Sequence, residues 1–225
     1  MAVIDDALTA HRNGDIARAD ALYRAVLKMD GRHFDALHML GILCAQRGNF
    51  AEAEQFLKAA LAVDQAVPPC LHNYGKVLSS IGRHDDAIAA FDKALALAPH
   101  YLPVYSDRGN AQLTAGRPQE ALASYDQALA REPRFAPAHY NRGIALERLN
   151  RDAEALSSYE RAVALHPNYA EAESNRANEH AHFFGHPLLL VLTPIRDVHL
   201  CVIADRGDTI LLEQVDDFSD ASDGR

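Results

Sequence analysis

Several things are scarce in this 225-residue chain, and each scarcity closes a route. Cysteine occurs only at Cys44, Cys70 and Cys201, an odd number at wide separation. Such spacing makes neither a disulfide framework nor a CxxC metal pair. Positive charge is also short, with 22 Lys plus Arg against 31 Asp plus Glu and a net charge of -9. A nucleic-acid backbone is therefore not an expected partner, because phosphate binding needs clustered cations. The longest strongly apolar run, "PLLLVLTPI", carries prolines and falls far short of the roughly 18 residues a membrane span requires. The opening "MAVIDDAL" is acidic and lacks the basic-then-apolar layout of a secretory signal. No Gly-rich phosphate loop, GxSxG elbow or HExxH pair occurs. These absences lead us to expect a cytoplasmic, non-enzymatic chain with reduced thiols, no cofactor, no metal and no membrane partner.

What is present is repetition. "GRHDDAIAAFDKALALAP" at 82–99 returns as "GRPQEALASYDQALAREP" at 116–133, shifted by 34 residues. The same shift aligns Ala19, Ala53, Ala87, Ala121 and Ala155 in one column, and Tyr23, Leu57, Phe91, Tyr125 and Tyr159 four residues later. Val26, Ala60, Ala94, Ala128 and Ala162 follow after three more. Spacing of i, i+4 and i+7 marks one face of an α-helix. Gly14, Gly48, Gly82 and Gly116 recur where a preceding helix would end, a position that favours positive φ and hence Gly. Asn150 takes that position in the fifth copy, and Asn is the usual substitute. Glu52, Asp86, Glu120 and Glu154 then open a second helix at the positive end of its dipole. Pro99, Pro133 and Pro167 stop it. A further column, Gly41, Gly75, Gly109 and Gly143, lies inside the first helix, where Gly costs about 1 kcal/mol relative to Ala. A neighbouring helix approaching closely would justify that cost.

The 34-residue period, with Gly75, Ala87, Phe91, Ala94 and Pro99 in one unit, resembles the tetratricopeptide repeat. The resemblance implies an all-α, right-handed α-solenoid of helix–turn–helix units. Five repeats (1–33, 34–67, 68–101, 102–135 and 136–169) and the first helix of a sixth give an array over 1–182. A non-repeat acidic tail over 183–225 follows. The first two units depart from the pattern at the terminal proline, with Gly31 and Gln65 instead, which leaves "VDQAVPPC" as the weakest junction.

One column carries charge where such repeats usually place an apolar residue. Arg108, Arg142 and Arg176 each lie sixteen residues after an acid, namely Asp92, Asp126 and Glu160. Where Leu40 or Tyr74 replaces the arginine, the upstream residue is Arg24 or Lys58. This co-occurrence predicts ion pairs joining consecutive repeats; the alternative is unrelated solvated charge.

Beyond the array the pattern stops. Gly185 and Pro187 intervene where a second helix should be set up, and "VHLCVIA" and "TILLEQV" flank "DRGD" as a β-hairpin would. The closing "DDFSDASDGR" has the composition of a disordered end. The tail either caps the solenoid or replaces its end. His180, His182 and His186 cluster there, but the same Gly and Pro should break the helix that would align them, and no further ligand completes a metal set. Arg206–Asp208 reads as a turn rather than a recognition tripeptide.

The resemblance implies that first helices line an inner groove for extended or helical peptides. Repeat phase turns His38, His72, Ser106 and Ser174 inward, with Asn178 and the candidate peptide-binding residues Asn73, Lys76, Asp107, Asn110, Tyr140, Asn141, Arg148 and Asn175. One column reads Asp5, Met39, Asn73, Asp107, Asn141, Asn175. It is similar to the asparagine ladder of O-linked N-acetylglucosamine transferase arrays, whose amides grip a peptide backbone, although Met39 and Asp107 interrupt it. The alternative is a merely solvated polar face. The expected function is a non-enzymatic scaffold for a protein or extended peptide. Two alternatives are the substrate-binding array of a truncated or separately encoded glycosyltransferase of that type, and a self-associating structural stack.

Overall fold

The computed structural model describes residues 2–184 together with the short segments 200–201 and 213–214. Eleven helices occur among the described residues. They are α1 (Ala2–Arg12), α2 (Ile16–Met29), α3 (Phe34–Gln46), α4 (Phe50–Val63), α5 (Pro68–Ser80), α6 (His84–Leu97), α7 (Leu102–Thr114), α8 (Pro118–Arg131), α9 (Ala136–Glu147), α10 (Asp152–Leu165) and α11 (Ala170–Phe184). Each odd helix packs against the even one that follows it and the even one that precedes it, so helical hairpins stack into an all-α solenoid. Leu200–Cys201 pairs antiparallel with Glu213–Gln214, within the two apolar runs of the C-terminal segment. The "DRGD" between them, His186 and the closing acidic residues lie outside the described residues.

The turns inside the hairpins explain the regular spacing. Gly14, Gly48, Gly82 and Gly116 have φ between 76° and 81°, and Asn150, the one non-Gly residue with positive φ among the described residues, has φ 55°. The N–H of Asn49 donates to the Cys44 carbonyl and that of Gly48 to the Ala45 carbonyl, which together form a Schellman closure. The same two bonds recur at Gly82–Arg83, Gly116–Arg117 and Asn150–Arg151. A left-handed residue at one fixed position therefore folds each second helix back against its first.

Between hairpins a different device operates. Ala98, Glu132 and His166 cap the even helices with ψ between 79° and 91°, outside the helical region, and precede Pro99, Pro133 and Pro167. Proline disfavours helical backbone in the residue before it, so the helix ends there. The first two repeats lack that proline, yet Asp30 and Asp64 are extended in the same way. Their carboxylates accept from the N–H groups of Arg32 (3.0 Å) and Ala66 (2.9 Å), holding the turn by an Asx bond instead. The junction at "VDQAVPPC" consequently keeps its register, with α5 starting on Pro68.

The mid-helix glycines seat a side chain. A Cβ on Gly75 would lie 2.5 Å from the Phe91 ring, and one on Gly41 2.5 Å from Leu57. On Gly109 and Gly143 it would collide with the Tyr125 and Tyr159 rings. The close approach is thus by the large side chain sixteen residues later in the same hairpin, not by a neighbouring backbone. Tyr23, Leu57, Phe91, Tyr125 and Tyr159 are all fully buried, as are Ala53, Ala87, Ala121 and Ala155 beside them.

Two of the three expected inter-repeat ion pairs form. Arg108 Nη1 lies 2.8 Å from Asp92 Oδ1, and Arg142 Nε lies 2.7 Å from Asp126 Oδ1. Arg108 also donates to Ser124 Oγ (3.0 Å) and Gln127 Oε1 (2.9 Å), and Arg142 to Ser158 Oγ (2.7 Å). Glu160 and Arg176 do not pair among the described residues; Arg176 Nε is buried without a hydrogen-bond partner. The reason is visible in the earlier repeats, where hydroxyl and amide groups of the following helix complete the arginine's setting. After Arg176 the sequence does not repeat those hydroxyl and amide residues.

Replacing Gly109 by Leu should lower stability by about 1–3 kcal/mol through overpacking beneath Tyr125; an unshifted thermal midpoint would refute the seat. A double-mutant cycle on Asp126 and Arg142 should give a coupling of about 0.2–1 kcal/mol that shrinks in high salt, as expected for a half-exposed pair.

Candidate functional site

Successive odd-numbered helices touch one another, α3 with α5, α5 with α7 and α7 with α9. They therefore occupy the tighter, inner arc of the solenoid, and the even-numbered helices occupy the outer one. The inner face is where repeat phase places the candidate residues.

Part of that face is closed. His38 and His72 are only 7% exposed, and Ser106 is equally buried. These three sit between helices rather than lining the groove, which corrects the reading of this column as open. The two histidines hold the next column. His38 Nε2 lies 3.0 Å from Asn73 Nδ2, and His72 Nε2 lies 2.6 Å from Asp107 Oδ2, each bond reaching from one repeat to the next. An amide nitrogen can only donate, so His38 Nε2 accepts and that ring is neutral. The other nitrogen of His72, Nδ1, is 3.1 Å from the Tyr101 hydroxyl. At the third step the relay breaks, because Ser106 Oγ is buried with no partner.

The remaining candidates fall into two groups. Asn110 accepts from the buried Tyr125 hydroxyl at 2.8 Å. Asn175 Nδ2 is 3.5 Å from the Tyr159 hydroxyl, and Arg148 Nη1 is 3.5 Å from the Leu113 carbonyl. Tyr140 is half-buried, its ring centroid 5.9 Å from Tyr159 and 4.9 Å from Tyr169. By contrast, the side chains of Lys76, exposed, and Asn141, half-buried, make no hydrogen bond or ion pair among the described residues. Asn73 keeps its carbonyl and one N–H, and Asp107 keeps one carboxylate oxygen, so a partly committed column still offers polar groups to the groove.

Periodicity alone did not reveal the pocket beside them. Ile42, Ala45, Phe50, Leu57 and Val77 floor a cavity of about 400 Å³ between α3, α4 and α5, with Gln46, Asn73, Lys76 and Ser80 at its rim. Its signal in the sequence is one column, Leu8, Ile42, Lys76, Asn110, Ile144, in which an aliphatic residue precedes the lysine by one repeat. Elsewhere the chemistry is quiet. Cys44 and Cys70 are free and buried, and burial pushes their thiols up to about 11 and about 12, so both stay protonated.

Profiles of the tetratricopeptide repeat match residues 10–70, 69–132 and 106–170, together well over two thirds of the sequence. The chain belongs to the tetratricopeptide repeat family. Among solved structures it is similar to the MamA protein, at 24% identity and a TM-score of 0.67, over 85% of this chain and 96% of that one. It is similar as well to YrrB, described as a TPR protein with an unusual peptide-binding site, at 21% identity and a TM-score of 0.67, over 76% of this chain and 89% of the other. PilF of Pseudomonas aeruginosa aligns at 20% identity and a TM-score of 0.71, over 81% and 83%. At these identities the likeness is one of fold. No curated protein matches the chain. The matches are to the tetratricopeptide repeat itself; likeness to the glycosyltransferase arrays rests on the asparagine column alone. No helix among the described residues is long and apolar enough to cross a membrane.

The buried inter-repeat histidine leads us to expect a pH-dependent stability for this tetratricopeptide array. Burial pushes the His38 imidazole below its ordinary value, with Asp35 opposing weakly, and the same cause acts on His139. A folded-state pKa below the unfolded one means that the unfolded chain binds more protons in this window. The contribution is therefore complete above about 6.5 and is lost as pH falls toward the folded value. Unfolding free energy measured by denaturant should decline from pH 7 to pH 5. His38→Gln should make that decline shallower, with His139 supplying the residue of the slope; an unchanged slope would contradict the assignment.

Proposed function

We propose that this tetratricopeptide array, taken as residues 1–182, is a protein-interaction scaffold whose inner groove holds an extended segment of a partner protein. The observation that carries the reading is the inner pocket at the second-to-third repeat junction, where an apolar floor is rimmed by Asn73 and the uncommitted Lys76. A few placed polar groups around an apolar depression are what a peptide site requires. The fold shared with YrrB, itself described as peptide-binding, agrees with it.

Backbone capture falls to Asn73, Asn141 and Asn175. Packed helix layers repeat at roughly 8–10 Å, while an extended peptide advances about 3.3 Å per residue. One amide per repeat thus meets the peptide backbone about every third residue, offering it both a donor and an acceptor. The bond from His38 restrains the Asn73 amide before any partner arrives, which reduces the ordering cost of binding. Lys76, Asp107, Asn110, Tyr140 and Arg148 then supply selectivity through charge, hydrogen bonding and an aromatic face.

Each lost hydrogen bond should weaken binding by about 0.5–1.5 kcal/mol. Replacing Asn73, Asn141 and Asn175 together by Ala should reduce affinity for a captured partner at least tenfold, with helicity by circular dichroism unchanged. Because Asn73 also bonds His38, Asn141→Ala alone is the cleaner variant and should account for part of the loss. Equal affinities for wild type and triple variant would remove the inner groove as the binding site.

A further inference from the structure

The outer face of the same junction has an apolar lining where the next two carry an arginine–acid network. Between α6, α7 and α8, Arg108 spans the groove to Asp92, Ser124 and Gln127, and Ser124 Oγ donates to Gln112 Oε1 at 2.6 Å. The Arg131 guanidinium covers the Tyr105 ring at 4.6 Å, placing charge over that part of the groove. One junction further, Arg142 pairs with Asp126 and Ser158, and the recess of about 400 Å³ that remains there is lined by His139, Arg142, Ser158, Glu160 and Arg161 rather than by an apolar floor.

Thirty-four residues earlier, between α4, α5 and α6, each part of that network is replaced. Tyr74 stands for Arg108, Lys58 for Asp92, Ala90 for Ser124, Lys93 for Gln127 and Leu78 for Gln112. Leu97, 50% exposed, stands for Arg131. The result is an open cavity of about 460 Å³, floored by Leu61, Leu71, Tyr74 and Leu78 and flanked by Lys58 and Lys93. That volume falls within the range of about 300–1,000 Å³ usual for ligand sites. Arg83 at its edge is already tied to Glu54 (2.6 Å) and Asp86 (2.7 Å). Lys58 and Lys93 are exposed and, among the described residues, have no carboxylate partner. On a chain of net charge -9, two uncommitted cations over an apolar floor are complementary to one chemistry in particular.

We propose that this outer groove is a second docking site, on the opposite face from the inner one, for an acidic peptide segment of a partner that inserts an aliphatic or aromatic side chain between α4 and α6. Its carboxylates meet Lys58 and Lys93, and its apolar side chain covers Leu71 and Tyr74.

The test is fluorescence-anisotropy titration of the full chain with a labelled peptide, Asp-Glu-Leu-Phe-Glu-Asp, at low salt. Binding should fall at least tenfold for the combined variant Lys58→Glu and Lys93→Glu. It should fall similarly when Leu and Phe of the peptide are changed to Ser. A second variant, Tyr74→Arg with Lys58→Asp, transplants the arginine–acid pair of the later junctions. It should abolish binding while the thermal midpoint is kept. Absence of binding by wild type overturns the proposal, as does equal binding of a Lys-Lys-Leu-Phe-Lys-Lys peptide. So does a loss that follows Asn141→Ala in the inner groove instead of the two lysines. Lysine-dependent self-association of the chain without peptide, seen by sedimentation, would assign the groove to a second copy and overturn its assignment to a partner.

Discussion

The second to fifth repeats of this solenoid depend on one steric fit, the seating of a large side chain over a missing Cβ. Gly75 leaves room for Phe91, and Gly109 and Gly143 leave room for Tyr125 and Tyr159. Each fit fixes how closely the two helices of a hairpin cross, and the fully buried alanines alongside allow that distance to be kept along the interface. Once the hairpin is fixed, the next one can add only in one position, and the inner and outer faces acquire their regular spacing. The cost is the lower helix propensity of Gly within α3, α5, α7 and α9. Burial of a ring or a leucine on each offsets it.

Much of this was legible because it is local and repeated. The left-handed turn at Gly48 and its counterparts, including Asn150, follows from backbone sterics that a single residue reveals. The pairing of Asp92 with Arg108 and of Asp126 with Arg142 was legible for another reason. Acid and arginine change together between repeats, and a contact is the simplest cause of that. Asp30 and Asp64 show a subtler equivalence. The sequence marks them as the repeats without proline, whereas the backbone treats their carboxylates as substitutes for it.

What the sequence did not yield is decided by neighbours rather than by period. His38 and His72 share the inward phase of their helices, but whether such a residue lines a groove or lies under it depends on how near the next inner helix comes. That distance is set by packing two repeats wide. The pocket under Lys76 was hidden for the same reason, since its floor is drawn from α3, α4 and α5 at once. Arg176 looked like a third copy of Arg108, but the hydroxyl and amide residues that complete the others do not recur at the matching positions of the sequence after it.

The helix α5, like its neighbour α4, borders two recesses at once. Asn73, Lys76 and Val77 on one side of it border the inner pocket, while Leu71, Tyr74 and Leu78 on the other floor the outer cavity. It is a party wall, thirteen residues long, between two recesses. A ligand that tilts or rotates it from one side changes the shape offered on the other. Thermodynamic reciprocity then requires the two occupants to alter each other's affinity by the same factor. A repeat architecture, whose units are commonly read as independent beads, would in that way become a device in which two partners sense each other through the helices they share.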